Sequence, residues 1–208
     1  MTQPSHVWGL HSSHLGFGDR WACANWFLRL SQRTRKVVLI STAAPWASEI
    51  VQIAPLLRST GRIALSQRPP SIHLDYCDPF RLRYLKTVVG WKPNNSQFIS
   101  YQFDGRSFGH LKNLPPGAEE RLLAELVQLG YKPINVNSRP ALHAVEILAR
   151  SAAFIGVPSG LSHVAFSVGT PCHVIFNDYS IDLRQCVYYR KPVKLYHTYE
   201  DLLARWGQ

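Results

Sequence analysis

The residues best suited to chemistry crowd one turn. In "ARSAAFIGVPSGLSHVAFSVGTPCHVIF", Ala149 to Phe176, Ser159, Gly160, Ser162 and His163 fall within five positions, where a strand gives way to a helix. The first N–H groups of a helix have no partner within it, and the helix dipole is positive there, so such a turn receives a phosphate readily. Ser159 is placed to cap the helix, to bind a ligand, or both. Gly160 and Leu161 offer main-chain N–H groups. A histidine on an apolar helix is more often a satisfied structural residue, but His163 lies one turn in and within reach of the same phosphate.

Two further turns carry charged groups. In "SSHLGFGDRWACANWF", Gly16 and Gly18 allow a backbone path that other residues resist, a phosphate-type turn, and they bring Asp19 to the mouth of a helix. A carboxylate there is commonly an N-cap; read as chemistry, it is a general base for a hydroxyl proton. In "SYQFDGRSFGHLKNLPPGAEERL", Asp104, Gly105, Arg106 and Ser107 leave a strand, and Lys112 precedes prolines that open a helix. Arg106 and Lys112 are suited to grip a diphosphate, and equally to an exposed, solvated loop. No G-x-x-x-x-G-K-[ST] occurs, and "GFGDRWA" lacks the third glycine of a G-x-G-x-x-G, so the usual ATPase and NAD signatures are missing.

These turns need a scaffold of alternating strands and helices. "HVWGLH", "KVVLIST" and "RIALS" read as strands, with a helix over about Arg20 to Leu30 and another in "WASEIVQIAPLLRSTG" that Pro55 kinks or breaks. From Pro69 to Asn95 the pattern is irregular, and "WKPNNS" has linker composition. The alternation then restarts with "QFISYQF", "PPGAEERLLAELVQLGY", "KPINVN", "PALHAVEILARS", "AAFIGV", "GLSHVAFSVG", "PCHVIF" and a final helix "YEDLLARWG". Such alternation predicts an α/β fold of two small Rossmann-like, doubly wound domains, residues 1–93 and 94–208, each with a parallel sheet. Ligands are expected in the cleft between them, at the carboxyl ends of the strands.

Composition narrows the setting. The chain has 208 residues, 46% hydrophobic and 17% charged, which excludes wholesale disorder. No apolar run is long enough to cross a bilayer, and "MTQPSHVWGLHSSH" lacks the pattern of a secretory signal, so the cytoplasm of whatever cell makes the chain is expected. Cys23, Cys77, Cys172 and Cys186 are far apart and form no metal-ligand pair, and reduced, buried thiols are expected. The net charge of +10 is uneven: residues 1–95 carry twelve Lys and Arg against four Asp and Glu, and residues 96–208 eleven against nine. The first half is therefore expected to meet something anionic.

The three turns, in this order, resemble the ADP-heptose:lipopolysaccharide heptosyltransferases, glycosyltransferases of GT-B fold. The similarity rests on the small-residue "GD" turn after the first strand, on the basic residue before a proline-acid helix start ("KNLPPGAEE"), and on "VPSGLSHVAF" followed by "GTPCHVIF". It covers most of the second domain and mainly the first turn of the shorter first one. The resemblance implies transfer of a sugar from a nucleotide-diphosphate sugar to a hydroxyl, with no metal and no cofactor. Asp19 falls on the family's base, Lys112 on its diphosphate-binding lysine, and Ser159, Gly160 and His163 on its phosphate- and sugar-contacting turn. Pro158 stands where the family has an aspartate that contacts the donor sugar, so the donor's identity is left open. Glu146, in "NVNSRPALHAVE", is the candidate for the nucleoside.

In this fold the first domain holds the acceptor. Arg58, Arg62, Arg68, Arg81, Arg83, Lys86 and Lys92 are gathered there, interleaved with Tyr76, Phe80, Tyr84 and Trp91. That mixture suits a nucleic acid, whose phosphates are dense and whose bases stack on aromatic rings. A hydroxymethylated base in DNA, flipped out toward Asp19, is thus slightly favoured as acceptor over a lipopolysaccharide core. A non-catalytic binder of nucleotide sugars or nucleic acid is the third reading, supported by Pro158 and by the shortened first domain.

Overall fold

The structure is a computed structural model, and it describes residues 6–10, 16–44, 46–57, 59–74, 97–105, 109–137, 139–177 and 193–206. The chain divides into two compact units, Met1–Gly90 and Trp91–Gln208.

In the first unit, strands β1 (Val7–Leu10), β2 (Val38–Ser41), β3 (Ile63–Ser66) and β4 (Ile72–Leu74) form a parallel sheet of order β3-β2-β1-β4. Helix α1 (Phe17–Thr34) starts three residues before its expected beginning and runs four beyond its expected end, burying Trp21, Cys23, Phe27 and Leu28. Fully burying Trp21 and Phe27 contributes about 1.5–3 kcal/mol each, enough to outweigh a first turn with one aromatic residue, Phe17, and a glycine, Gly18. Helix α2 (Ala47–Ile53) passes into a 3₁₀ turn, Ala54–Leu57, at Pro55, which cannot donate to the α-helical ladder. Strand β4 lies within the stretch read as irregular; at three residues it is too short for a period to emerge.

In the second unit, β5 (Phe98–Gln102), β6 (Lys132–Asn135), β7 (Ala153–Gly156), β8 (Cys172–Ile175) and β9 (Val193–Tyr196) form a parallel sheet of order β6-β5-β7-β8-β9. Its helices are α3 (Gly109–Lys112), α4 (Ala118–Gln128), α5 (Ala141–Arg150), α6 (Gly160–Ser167) and α7 (Tyr199–Ala204). Central β7 and β8 are buried at every position, as the unbroken apolar runs require. Pro133 is tolerated because β6 is an edge strand. Ile99, Ile155 and Ile175 pack with Leu122, Leu126 and Leu202 of α4 and α7. Alternation sends Phe154 and Val174 to the opposite face, the side on which α5 and α6 lie against each other. Strand β9 was not foreseen: it is a four-residue edge strand that carries an exposed lysine, Lys194.

His173 on β8 is a core residue. Its Nδ1 meets the Tyr196 hydroxyl at 2.9 Å, and burial, followed by the charge of Lys194, pushes its pKa down to about 4. The unfolded chain therefore takes up a proton that the folded chain refuses between the ordinary value of 6.5 and about 4. Stability is present above that window and is lost as pH falls through it, with His173 contributing a slope of about 1.4 kcal/mol per pH unit in mid-window. Thermal melts at pH 7 and pH 4.5 check this, and His173→Gln is expected to flatten the dependence.

Candidate functional site

Order β6-β5-β7 in the second sheet makes the gap between β5 and β7 a topological switch point, where chain crossings leave in opposite directions and ligands are received at the strands' carboxyl ends. Gln102 and Gly156 are the last register pair across it. A Cβ on Gly156 would stand 2.7 Å from the Gln102 carbonyl and 2.6 Å from the Phe154 ring, so the close approach of the two strand ends requires glycine. Gln102 ties the surrounding turns together. Its Oε1 accepts from the Ser159 hydroxyl at 2.5 Å, while its Nε2 donates to the Asp104 carbonyl at 2.8 Å and faces Asn137 Oδ1 at 3.5 Å. Because the Asp104 carbonyl can only accept, the amide orientation is determined.

Ser159 is the N-cap of α6 in extended conformation, and Gly160 opens the helix. Ser162 is buried; its hydroxyl donates to the Ser159 carbonyl at 2.6 Å and accepts the Ser159 N–H at 3.3 Å. Those bonds give Ser162 a capping part in the turn. The Leu161 side chain packs into the core, so only its main chain is offered to a ligand. His163 is half-buried, and burial together with the nearby charge of Lys112 holds it neutral, with a pKa of about 4.

Lys112 is buried at 6% exposure on the last residue of α3, and burial holds its pKa below the ordinary lysine range. Its stem crosses Gly105, where an added Cβ would lie 2.6 Å from Lys112 Cε. The Gly105 N–H donates to Asn113 Oδ1 at 2.7 Å. Gly105→Ala is therefore expected to displace the flexible lysine stem, the backbone staying in place. Tm should be little changed, and affinity for a diphosphate, the ligand expected here, should fall about tenfold, as nucleotide titrations would show.

In the first unit, Asp19 stands in the first turn of α1, after β1. Its Oδ2 accepts the Gly16 N–H at 2.9 Å. Burial holds its carboxyl above the ordinary carboxylate range, against the pull of that N–H and of Arg20. Arg20 pairs with Glu49 at the start of α2. The glycines act differently from expectation. Gly16 has φ −67°, open to any residue, and Gly18 is buried inside the helix. What Gly16 supplies is space: a Cβ there would lie 3.3 Å from the Asp19 carboxylate.

Other expected residues are more scattered. Glu146 is exposed on α5 and makes no described bond to the Gln102–Ser159 cluster. Arg68 follows β3 at the carboxyl end of the sheet, with its carbonyl accepting from Ser41 Oγ at 3.0 Å. Arg62 precedes β3, at the other end of the same parallel strands from Asp19 and Arg68. Arg58, Arg81, Arg83, Lys86, Lys92 and Arg106 lie outside the described residues, with Tyr76, Phe80, Tyr84, Trp91, Ser107, Cys77, Cys186 and the Trp91–Ser96 linker. Gln102, Asn137 and Asn177 are candidate-site residues the reading missed, and Gly105, named there as leaving the strand, had been given no role. A polar side chain at the end of an apolar strand run, as in "SYQF" and "IFND", was their signal.

No known family's sequence profile matches the chain, and no curated protein does. Solved structures are similar in fold. One is TibC, a bacterial iron-containing dodecameric glycosyltransferase from enterotoxigenic E. coli H10407, at TM-score 0.55 and 13% identity over 85% of this chain and 61% of TibC. Another is TibC as a heptosyltransferase in complex with ADP-D-beta-D-heptose, at TM-score 0.55 and 13% identity over 85% of this chain and 62% of TibC. The fold is GT-B-like. At 13% identity the likeness is one of fold alone, and the chain spans about three fifths of TibC's length. Among the described residues, no group of three or more His, Cys, Asp or Glu is placed to hold a metal ion. Cys23 and Cys172 are buried free thiols, and burial pushes the pKa of each up, that of Cys23 to about 12. The described residues thus do not fit the iron of TibC, and no step is assigned to it.

Proposed function

We propose that this chain is a glycosyltransferase that takes its sugar from a nucleotide-diphosphate sugar and places it on a hydroxyl without using a metal. The observation that carries the reading is a buried lysine whose charge is felt at His163, in the first turn of the helix that follows β7, in a GT-B-like fold whose second sheet has its switch point between β5 and β7. The diphosphate is assigned to Lys112 and to the N–H groups at Gly160 and Leu161, with Ser159 as the cap that opens the helix, and neutral His163 supplies a hydrogen bond to it or to the sugar. The departing diphosphate gathers charge as the bond to the anomeric carbon breaks, and the fixed cation and dipole stabilise it. Asp19 takes the proton from the attacking hydroxyl, and burial, by raising its proton affinity, makes it a stronger base than an exposed carboxylate.

The heptosyltransferase-like reading, with the acceptor a glycan of lipopolysaccharide-core type, stands ahead of DNA. The likeness to TibC supports it, whereas the DNA reading rests on basic residues of which Arg62 lies at the far end of the sheet from Asp19. The test is incubation with a panel of nucleotide sugars, ADP-heptose among them, and with core glycan or hydroxymethylated DNA, followed by mass spectrometry of the products. Sugar added to the glycan is the expected result. Transfer to DNA alone would reverse the order of acceptors, donor binding without turnover would make the chain a non-catalytic binder, and no donor binding would overturn the reading.

A further inference from the structure

Lys112 is carried by a helix that cannot hold itself. α3 has four residues, one turn, and an isolated turn orders its backbone at a cost that its few hydrogen bonds do not recover. Its last carbonyls also have no partner within it. Asn177, just beyond β8, supplies that partner: its Nδ2 donates to the Lys112 carbonyl at 2.9 Å and to the Asn113 carbonyl at 3.1 Å. Asn177 is itself anchored. Its N–H donates to the His197 carbonyl at 2.8 Å, and the Phe176 N–H to the Tyr196 carbonyl at 2.9 Å, both continuing the pairing of β8 with β9. Its φ of 47° is left-handed, a conformation that asparagine and glycine adopt far more readily than other residues.

We propose that Asn177 is a positioning residue for Lys112: the end of β8 sets the lysine's backbone through this one side-chain amide, while Gly105 provides the channel for its stem. The inference rests on the function proposed above, in which Lys112 binds the diphosphate. A lysine shifted by about 1 Å loses much of its grip on a fixed anion, so the effect belongs to the diphosphate and not to the nucleoside.

Asn177→Gly keeps the left-handed backbone and removes the amide. Calorimetric titrations of ADP, GDP and UDP, each beside its parent nucleoside, read the result. At least one diphosphate is expected to bind the natural protein, Asn177→Gly to weaken it about tenfold, and the nucleoside to bind within twofold of the natural affinity. In a Lys112→Met background, Asn177→Gly is expected to change diphosphate affinity less than twofold. Natural diphosphate affinity in Asn177→Gly, an equal loss for nucleoside and diphosphate, or an undiminished loss in the Lys112→Met background would each overturn the proposal. Should Asn177→Gly melt far below the natural protein, Asn177→Ser, with one short hydroxyl donor in place of two N–H groups, decides by the same ratio. A natural protein that binds none of the diphosphates would remove the proposed function and this inference with it; binding that Asn177→Gly leaves untouched removes only the inference.

Discussion

Asp19→Asn is expected to lower sugar transfer by about 10²–10⁴-fold, the usual contribution of a positioned general base, while donor affinity and fold are retained. The Asn side chain has the shape of Asp and can still accept the Gly16 N–H that Oδ2 accepts at 2.9 Å. What it lacks is the lone pair basic enough to receive a proton. Because burial raises the Asp19 pKa above 3.8, two pH dependences follow. Transfer needs the ionised form, so kcat/KM for the natural protein is expected to rise with pH through a value above the ordinary carboxylate range. Stability runs the other way. A folded-state pKa raised above the unfolded one contributes stability that is fully present below 3.8 and is lost as pH rises through the folded value. At neutral pH, Asp19→Asn is therefore expected to melt no lower than the natural protein. Transfer by Asp19→Asn within threefold of natural would remove Asp19 from the chemistry, and an equal loss of donor binding would make it a structural residue.

Lys112→Met is expected to weaken stabilisation of the departing diphosphate by about 10²–10³-fold, the effect of removing one preorganised electrostatic donor, and to leave Tm unchanged or raised. Burial makes the folded state disfavour the lysine's charge, so the charged side chain costs stability that an apolar stem of similar length does not. A nearby dianionic diphosphate reverses that preference. As pH rises, diphosphate affinity in the natural protein should accordingly weaken earlier than an ordinary lysine would dictate, and this dependence should vanish in Lys112→Met. Lys112→Arg is not expected to restore binding, since the wider guanidinium would have to follow a stem that crosses the Gly105 backbone within 2.6 Å of where a Cβ would stand. Binding measured by calorimetry across pH, with single-turnover transfer alongside, checks both statements.

Much of the scaffold was legible because burial writes itself into residue order. "AAFIGV" and "PCHVIF" are unbroken apolar runs because β7 and β8 are covered on both faces, and Pro55 marked the end of α2 because proline cannot donate. β4 and β9 were illegible for the complementary reason. They are short edge strands, held in the sheet by neighbours 64 residues (Trp8 opposite Ile72) and 21 residues (Cys172 opposite Val193) away along the chain. Gly16 and Gly18 show a third case: glycine was expected to bend the backbone, but the first makes room for a carboxylate and the second lies buried in a helix.

By itself, then, the order of residues determined the α/β alternation, the helix start at Ser159, and the places of Asp19 at the mouth of α1 and of Lys112 between β5 and α4, since each depends on groups a few positions apart. Tertiary structure alone decided that Gln102 would clasp Ser159, 57 positions away, and that Asn177 would hold the backbone of Lys112, 65 positions away. Such partners are chosen by strand order. A parallel sheet gathers the carboxyl ends of strands distant in sequence along one edge, and no local pattern records which polar side chains will meet there.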